Sequence, residues 1–326
     1  MTIDRRTFLG MAAAGVTAGA ATRAFGQDKW PSRTVRLISP YGAGGPNDIA
    51  TRLIGKYLED RLGQSFIVEN KAGAGTMLAN DYVAHVTPDG YTLLHAAAPY
   101  STLEALQGKL NYDPKKDLQP IAMTATVPLF LVVNANAPAK TAAEFIAYGK
   151  SKADGLNFGS PGNGSLPHLA VELLMRDAGI KGTVIQYRGD VPAYTDLLGG
   201  RIDATLTAIT AALPHIQAGK LRALGVAATA RSEIFKEAPP LAEQGLPRVV
   251  AAGWYGFMAP AGVPAPIVQR LDSEINRALN EAEMKQKFLA QGMETHGLNA
   301  ADFGKFIDAE TTKWAGVIKA AGIKGA

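Results

Sequence analysis

The residue pattern with the clearest chemical meaning is PYGAGGPND at positions 40–48. It lies between a short apolar run and an amphipathic segment, an arrangement typical of a strand that gives way to a helix. The start of such a helix offers unpaired backbone N–H groups and the positive end of the helix dipole, and both favour an anion. Glycines let the main chain approach a ligand closely. The pattern therefore predicts an anion-binding turn, which we call the first glycine loop.

Two further segments share this character. The second glycine loop is NKAGAGT at 70–76, and the third glycine loop is GSPGNGSLP at 159–167. If the strands before the first two loops are neighbours, these loops lie side by side at the carboxyl edge of one sheet, where open α/β sheets bind ligands. The third loop would then face them across a cleft. Each loop taken alone is also common as a plain strand-to-helix turn, so that alternative stays open.

The glycine spacing argues against a nucleotide as the anion. The chain has no G-x-x-x-x-G-K-[ST] loop, and Gly42, Gly44 and Gly45 do not have the G-x-G-x-x-G spacing of a dinucleotide fold. A carboxylate is smaller, carries one charge, and can be held by a few neutral N–H and hydroxyl donors. The loops therefore favour a carboxylate.

Catalytic and metal sites have little support in the sequence. The five histidines are scattered and form no H-E-x-x-H pattern. Ser160 and Ser165 lack the G-x-S-x-G spacing of a nucleophile elbow. We predict no catalytic residue, no metal ligand and no cofactor, although a Ser, His and Asp that meet only in the folded chain would escape this test.

Strand and helix patterns alternate along the chain, and this order must position the loops. β-rich runs at 35–38, 66–68 and 91–95 alternate with helical patterns over 49–62 and 77–86. Such an order predicts a parallel sheet covered by helices on both faces.

The same order returns between residues 156 and 206, so we predict a second α/β domain. Apolar runs at 121–134 and 249–258 would join the two domains as a hinge, and helices over 267–279 and 303–319 would close the first domain. The predicted divisions are residues 1–26, a signal peptide; 27–127, the first part of lobe 1; 128–251, lobe 2; and 252–326, the completion of lobe 1 with the C-terminal helices.

The N-terminus predicts export. Arg5 and Arg6 precede an Ala/Gly-rich apolar stretch that ends in a small-x-small pattern at Ala24–Phe25–Gly26, as in a cleaved signal peptide of the twin-arginine type. The alternative is an amphipathic N-terminal helix of the mature protein. Cleavage after Gly26 removes three arginines and one aspartate, so the formal net charge falls from +4 to +2, which gives no positive case for nucleic acid. With no cysteine, disulfides, thiolate chemistry and a lipid-modified cysteine anchor are excluded.

Several segments occur in order through the mature chain: PYGAGGPNDIATR at 40–52, VENKAGAG at 68–75, PDGYTLL at 88–94, GSPGNGSLPHLA at 159–170, YRG at 187–189, DLLGGRID at 196–203 and WYGFMAP at 254–260. Together they resemble the signature segments of the Bug family, the periplasmic solute-binding receptors of tripartite tricarboxylate transporters. The resemblance implies a two-lobed α/β fold of the type II periplasmic-binding class. Each lobe would contain a mainly parallel sheet flanked by helices, and a two-segment hinge would let the lobes close on an organic carboxylate.

The resemblance also implies roles for the loops. The first two would hold one carboxylate through backbone amides, partly by way of ordered water, and the third would receive the other end of the ligand. With Asp190 added from the neighbouring segment, the candidate ligand-binding residues are Tyr41, Gly42, Ala43, Gly44, Gly45, Asn70, Ala72, Gly73, Ala74, Gly75, Ser160, Asn163, Gly164, Ser165, His168 and Asp190.

Two of these positions, Tyr41 and Asp190, differ from the residue that is usual in the family, and two, Asp190 and His168, admit more than one interpretation. Tyr41 stands where the family commonly has Phe and would add a hydroxyl at the lip of the pocket. Asp190 stands where a small or neutral residue is usual; it either caps a helix that starts near Val191, or contacts an ammonium or hydroxyl group of the ligand, or pairs with Arg188. His168 is either a helix-start and packing residue or a ligand contact.

The function that the resemblance implies is capture and delivery. A monomeric receptor in the periplasm would bind a small organic mono-, di- or tricarboxylate and bring it to the integral membrane subunits of a tripartite tricarboxylate transporter, with no nucleic-acid partner. The alternative is a sensor that passes a carboxylate signal to a membrane kinase. An enzyme is a third hypothesis, and it predicts turnover of the bound acid.

Overall fold

The structure is a computed structural model that describes residues 30–325. The predicted signal peptide at 1–26 lies outside the described residues. One compact unit begins at Arg33, and the fold given below is the fold of that unit.

Between residues 33 and 325 the unit contains ten strands: β1 Val35–Ser39, β2 Phe66–Asn70, β3 Thr92–Ala97, β4 Leu118–Asn134, β5 Leu156–Ser160, β6 Gly182–Gln186, β7 Ala204–Ala208, β8 Leu221–Val226, β9 Ala252–Pro260 and β10 Glu294–Asn299. The same range contains ten α-helices: α1 Pro46–Leu62, α2 Met77–Ala84, α3 Leu103–Gln107, α4 Ala142–Ser151, α5 Leu166–Ala178, α6 Asp190–Leu198, α7 Leu213–Gln217, α8 Ala265–Asn280, α9 Ala282–Leu289 and α10 Ala300–Ala321. Short 3₁₀ helices follow several strands.

The strands form two lobes that share one continuous sheet. In the first lobe the order is β2-β1-β3-β9, with β1, β2 and β3 parallel and β9 antiparallel to β3. In the second lobe β6, β5 and β7 are parallel neighbours. The two-lobed α/β fold predicted from the sequence is confirmed, with antiparallel strands added to each parallel set.

β4 is the long strand that connects the two halves of the sheet. Its residues 118–128 pair with β9, and its residues 129–133 pair with β7. The chain returns from the second lobe to the first through residues 250–252, where the Ala251 N–H donates a hydrogen bond to the Ala227 carbonyl. The domain boundaries after residues 127 and 251 stay a prediction.

Each lobe has its own apolar core. The first-lobe core is built around Ile38, Leu94 and Trp254, and the second-lobe core around Phe158, Leu174 and Leu206. A further cluster around Phe130 packs on the opposite face of the second-lobe sheet. Both faces of the second-lobe sheet are therefore covered. This is expected of parallel strands whose sequences are continuously apolar.

α10 contributes to both cores, although the sequence assigned residues 252–326 to the first lobe alone. Phe303 packs in the first-lobe core, whereas Trp314 and Val317 pack in the second-lobe core. Between them the buried Glu310 accepts a hydrogen bond from Trp314 Nε1 at 2.7 Å, and Lys313 Nζ donates to the Val250 carbonyl at 3.1 Å. The apolar residues of α10 repeat over 22 residues, and this length is enough to reach from one core to the other.

Glycine is required where β9 passes beneath α10. A methyl group on Gly256 would overlap the Phe303 ring and lie 3.0 Å from the Ala122 carbonyl oxygen. Overpacking of this kind typically costs about 1–3 kcal/mol. We expect Gly256→Ala to lower the free energy of unfolding by about 2–3 kcal/mol, measured by urea denaturation.

The matched control is Gly316→Ala in the interior of α10, where the added methyl group meets no atom within 4 Å. Because alanine is the better helix former, this change should raise the free energy of unfolding by up to about 1 kcal/mol. Equal effects of the two substitutions would show that the overlap with Phe303 is unimportant.

Candidate functional site

The first two glycine loops leave neighbouring strands at the same edge of the first lobe. β1 and β2 are parallel, with Val35 opposite Phe66 and Ser39 opposite Asn70. The predicted adjacency of these strands is confirmed. Both loops therefore begin at the carboxyl edge of the sheet, the usual ligand-binding edge of open α/β folds.

Asp48, in the first turn of α1, fixes the shape of the first glycine loop. Its side chain is 3% exposed, and its carboxylate accepts the Gly44 N–H and two hydrogen bonds from Arg52, all at 2.9 Å. Burial alone would raise the pKa of Asp48, but hydrogen bonds from Arg52, Gly44 and Asn70 outweigh burial and lower it. The ionised carboxylate therefore holds Gly44, whose φ of +85° suits glycine.

Asn70 ties the first glycine loop to the second. Its side-chain nitrogen donates to the Tyr41 carbonyl at 2.9 Å and to Asp48 Oδ1 at 2.8 Å. Both of its N–H groups are thus used within the protein. The side chain positions the two loops, and the direct ligand contact that the sequence indicated stays a prediction.

A buried hydrogen-bond network supports the first glycine loop from beneath. Asn47 accepts from Ser39 Oγ at 2.8 Å and donates to the His95 carbonyl at 3.2 Å. Thr51 donates its hydroxyl hydrogen to the Asn47 carbonyl at 2.6 Å, so the hydrogen between Thr51 Oγ1 and His95 Nδ1, 2.7 Å apart, belongs to the histidine. His95 Nε2 then accepts from Thr124 at 2.9 Å.

His95 is therefore a neutral core residue. Desolvation lowers the pKa of His95 to about 3, and its ring stacks on Phe257 with the centroids 4.4 Å apart. The residue carries no charge at neutral pH, so it supports the loop without attracting the ligand.

The second glycine loop has positive φ angles at four consecutive residues. Gly73, Ala74, Gly75 and Thr76 have φ values of 150°, 46°, 61° and 87°. Such a conformation costs of order 1 kcal/mol for a residue with a side chain, and non-glycine residues of this kind cluster at ligand sites. The buried Thr76 accepts a weak hydrogen bond from Asn80 at 3.4 Å.

The first two loops carry a set of backbone donors that remain unused. Within residues 33–325 these N–H groups donate to no acceptor of the protein, and they belong to Gly42, Ala43, Gly45, Ala72, Gly73, Ala74 and Gly75. All of these residues are exposed or half-buried. Unpaired N–H groups at a helix start and in a turn suit an anion.

Tyr41 lies beside Tyr255 of β9 and is half-buried. Burial, and then the neighbouring Tyr255, raise the pKa of Tyr41 well above its usual value, and burial raises the pKa of Tyr255 to about 12. Both phenols are neutral donors at neutral pH. Tyr255 was not among the residues proposed from the sequence, although it lies in the WYGFMAP segment.

The third glycine loop is shaped by its own side chains. Ser165 caps α5 by accepting the His168 N–H at 3.4 Å, and its Oγ lies 3.3 Å from Ser160 Oγ. His168 Nδ1 accepts the Gly164 N–H at 3.0 Å, and its Nε2 lies 3.7 Å from a Glu172 carboxylate oxygen. Both ring nitrogens of His168 face protein groups, which favours the helix-start and packing interpretation over a ligand contact.

Asn163 holds the C-terminal tail, residues 323–325. Its amide donates to the Lys324 carbonyl at 2.8 Å, while the Gly325 N–H donates to the Leu106 carbonyl of α3 at 2.9 Å. The tail therefore lies between the third glycine loop and α3, and it connects the two lobes at this point.

Asp190 is the first residue of α6, and Gly189 occupies the capping position instead. Its carboxylate accepts a hydrogen bond from Thr207 Oγ1 of β7 at 2.9 Å. Among the described residues no ion pair joins it to Arg188. Two of the interpretations offered by the sequence, a helix cap and a pair with Arg188, are thus not what the structure contains.

A cavity of about 400 Å³ joins the second and third glycine loops. Its walls are formed by uncharged residues of both loops, of the 3₁₀ turn after β3, of α3 and of the tail: Ala74, Gly75, Ala98, Pro99, Thr102, Leu103, Leu106, Gln107, Asn163, Gly164, Ser165, Leu166 and Gly325. Two of the three predicted loops therefore share one space, while the first loop lies outside these walls.

Residues 30–325 contain no group of three His, Cys, Asp or Glu side chains placed to hold a metal ion, and no helix in that range is long and apolar enough to cross a bilayer.

The family model of the tripartite tricarboxylate transporter family receptor matches residues 50–323. This chain belongs to that receptor family. BugT of Bordetella pertussis is 36% identical over 299 residues, which is 91% of this chain and 92% of BugT.

Two solved structures are similar to this receptor across most of its length. The R. palustris protein Rpa4515, solved with adipate, is 32% identical with a TM-score of 0.74 and covers 91% of this chain and 100% of its own. MatC of Rhodopseudomonas palustris, solved with bound malate, is 32% identical with a TM-score of 0.68 and covers 89% of this chain and 100% of its own.

We expect Asp48→Asn to lower the free energy of unfolding by about 2 kcal/mol, because Arg52, Gly44 and Asn70 lose a charged acceptor. The pKa of Asp48 is lower in the folded state than in the unfolded state. Its ionised carboxylate therefore contributes fully to the free energy of unfolding above the unfolded pKa of about 3.9, and this contribution is lost as the pH falls through the folded pKa. The difference between wild type and variant should stay constant above about pH 5 and narrow below about pH 4, as measured by urea denaturation.

Asp60→Asn on the same helix is the control, since Asp60 is 61% exposed and pairs only with the exposed Lys56. Its effect should stay within about 0.5 kcal/mol. A comparable loss in both variants would remove the special role assigned to Asp48.

The buried neutral His95 predicts a second pH effect. Because its folded pKa of about 3 lies below the unfolded value of about 6.5, its stabilisation is complete above pH 6.5 and falls as the pH drops. Between pH 6.5 and pH 5.0 this single group should cost the wild type about 2 kcal/mol. The stability difference between wild type and His95→Gln, measured by urea denaturation at each pH, should shrink accordingly.

Proposed function

We propose that this receptor binds a small organic carboxylate in the cleft between its lobes and delivers it to a tripartite tricarboxylate transporter. The observation that carries the proposal is the set of unused N–H groups on the first two glycine loops, which leave neighbouring strands at one sheet edge. Tyr41 and the loop residues from Gly42 to Gly45 and from Ala72 to Gly75 would contact the acid, and Asn70 would hold them in place.

The charge of the site supports a carboxylate over a phosphate. The nearest cations of the first lobe are committed elsewhere: Arg52 pairs with Asp48, and Lys71 lies over the Tyr82 ring at 4.2 Å. A carboxylate group carries one charge, which a few neutral N–H donors can satisfy. The adipate and malate in the two relatives are carboxylates of this kind.

The second lobe would supply the opposing contacts. Ser160, Gly164 and Ser165 line the third glycine loop, and the Asp190 carboxylate has one hydrogen-bond partner, Thr207, within the described chain. An ammonium or hydroxyl substituent of the ligand would complete the acceptor capacity of Asp190. Asn163 and His168 would act by holding the loop.

The setting that we propose follows from the family. The receptor would work as a monomer in the periplasm, with lobe boundaries after residues 127 and 251, and the closed form would dock on the integral membrane subunits. Its work would be binding without turnover. A sensor that signals to a membrane kinase would use the same cleft, and the membrane protein that the loaded receptor binds distinguishes the two roles.

A thermal-shift panel tests the central claim. A ligand at 100 times its Kd stabilises the folded state by about 3 kcal/mol, which should raise the Tm of a chain of this size by about 5 °C. We expect this shift from at least one acid in a panel of mono-, di- and tricarboxylates, and native mass spectrometry of the purified protein should show the same acid retained.

The control for each acid is its neutral amide, such as succinamide for succinate, which has the same shape without the charge. The amides should produce no shift. A panel in which no carboxylate raises the Tm, or in which acids and amides act alike, would contradict a carboxylate receptor.

A further inference from the structure

We infer that the 400 Å³ cavity between the second and third glycine loops receives the uncharged carbon chain of the bound acid, and that Leu106 limits the length of that chain. The inference rests on the proposed function, because the carboxylate group itself would be held by the glycine loops. It narrows the ligand class to acids with an extended aliphatic portion.

The lining of the cavity suits hydrocarbon. None of the residues in its walls is charged, and Ala98, Pro99, Leu103, Leu106 and Leu166 present apolar surface. A methylene group that enters such a lining is stabilised by leaving water.

Most of the polar side chains in the walls are already satisfied by the protein. The Thr102 hydroxyl donates to the Pro99 carbonyl at 3.1 Å, and Ser165 caps α5. The Asn163 amide donates to Lys324 at 2.8 Å. The unpaired N–H groups of Ala74 and Gly75 also belong to the walls, so the carboxylate would be held on their side while the apolar residues face the carbon chain.

The far wall of the cavity is held in place. The Leu106 carbonyl accepts the Gly325 N–H at 2.9 Å, and the Leu106 side chain would lie 3.1 Å from a methyl group on Gly164. α3, the tail and the third glycine loop are thus connected around Leu106. A fixed wall gives a definite limit to the chain that fits, because a well-packed site tolerates extra methylene groups poorly.

The experiment measures the affinity of the full mature chain for unbranched monocarboxylates from butyrate to octanoate by calorimetry. The charged group is constant in this series, so differences in affinity between the acids report only the length of the carbon chain. We expect the Kd to fall about fourfold with each added methylene, the factor that corresponds to about 0.8 kcal/mol. Beyond the length that fills the cavity, the Kd should rise again.

In the Leu106→Ala variant the acid with the lowest Kd should be longer by about two methylene groups, because the substitution removes three carbon atoms from the wall. In Leu106→Phe that acid should be shorter, and this variant keeps the test valid if the alanine variant folds poorly. Leu289→Ala is the matched control, since Leu289 is also half-buried but lies on α9, outside the cavity walls. It should leave the chain preference unchanged.

A Kd that does not depend on chain length would overturn the inference. So would a change in the preferred chain length that is no larger in Leu106→Ala than in Leu289→Ala. If monocarboxylates do not bind while other acids of the thermal-shift panel do, the inference fails and the proposed receptor function stands. If no acid of either set binds, both fail.

Discussion

The edge of the first lobe at which we propose that the ligand binds depends on one buried carboxylate. Asp48 would be costly to bury alone, and it is tolerated because Arg52, Gly44 and Asn70 all donate to it. Through Gly44 it shapes the first glycine loop, and through Asn70 it fixes the position of the second. The unused N–H groups of both loops are therefore held in position before any ligand arrives, which reduces the conformational entropy lost on binding.

The same arrangement leaves no nearby cation free to bind the ligand, because Arg52 and Lys71 have partners within the protein. Arg52 is used to keep Asp48 ionised, and Lys71 lies over an aromatic ring, so in the proposed site the anion would be held by backbone dipoles. Dipoles satisfy a carboxylate without a strong attraction at long range, and bridging waters can adjust to acids of different shape. In the delivery role that we propose, a site of this kind would favour release of the ligand, because very tight binding goes with slow release.

Much of the fold could be predicted from the sequence because the local patterns agree with the final structure. The runs that predicted β1 and β2 end at glycine loops, and α1 stops at Gly63, whose φ of 75° allows the left-handed end of a helix. β8 and β10 were not predicted. They pair with β4, and pairing with a distant strand leaves little trace in a segment of five or six residues.

The site was predictable at the level of loops and less so at the level of side chains. Glycine spacing identifies where the backbone can approach a ligand, but the partner of a polar side chain depends on residues far away in the sequence. Asn70 meets Tyr41 and Asp48, and Asn163 meets Lys324, 161 positions later. Both residues were expected to contact the ligand, which stays a prediction, and the structure shows that both hold loops in place.

The sharing of α10 between the two cores also bears on how the protein is made. Trp314 and Val317 complete the second lobe, and Phe303 completes the first, so neither core reaches its final packing until the end of the chain has been synthesised. Folding during translation must therefore stop at an incomplete state with exposed apolar surface. A twin-arginine route, which carries folded proteins, would place the last folding step in the cytoplasm, before export. A route for unfolded chains would place the same step after export, where the whole molecule would have to fold at once.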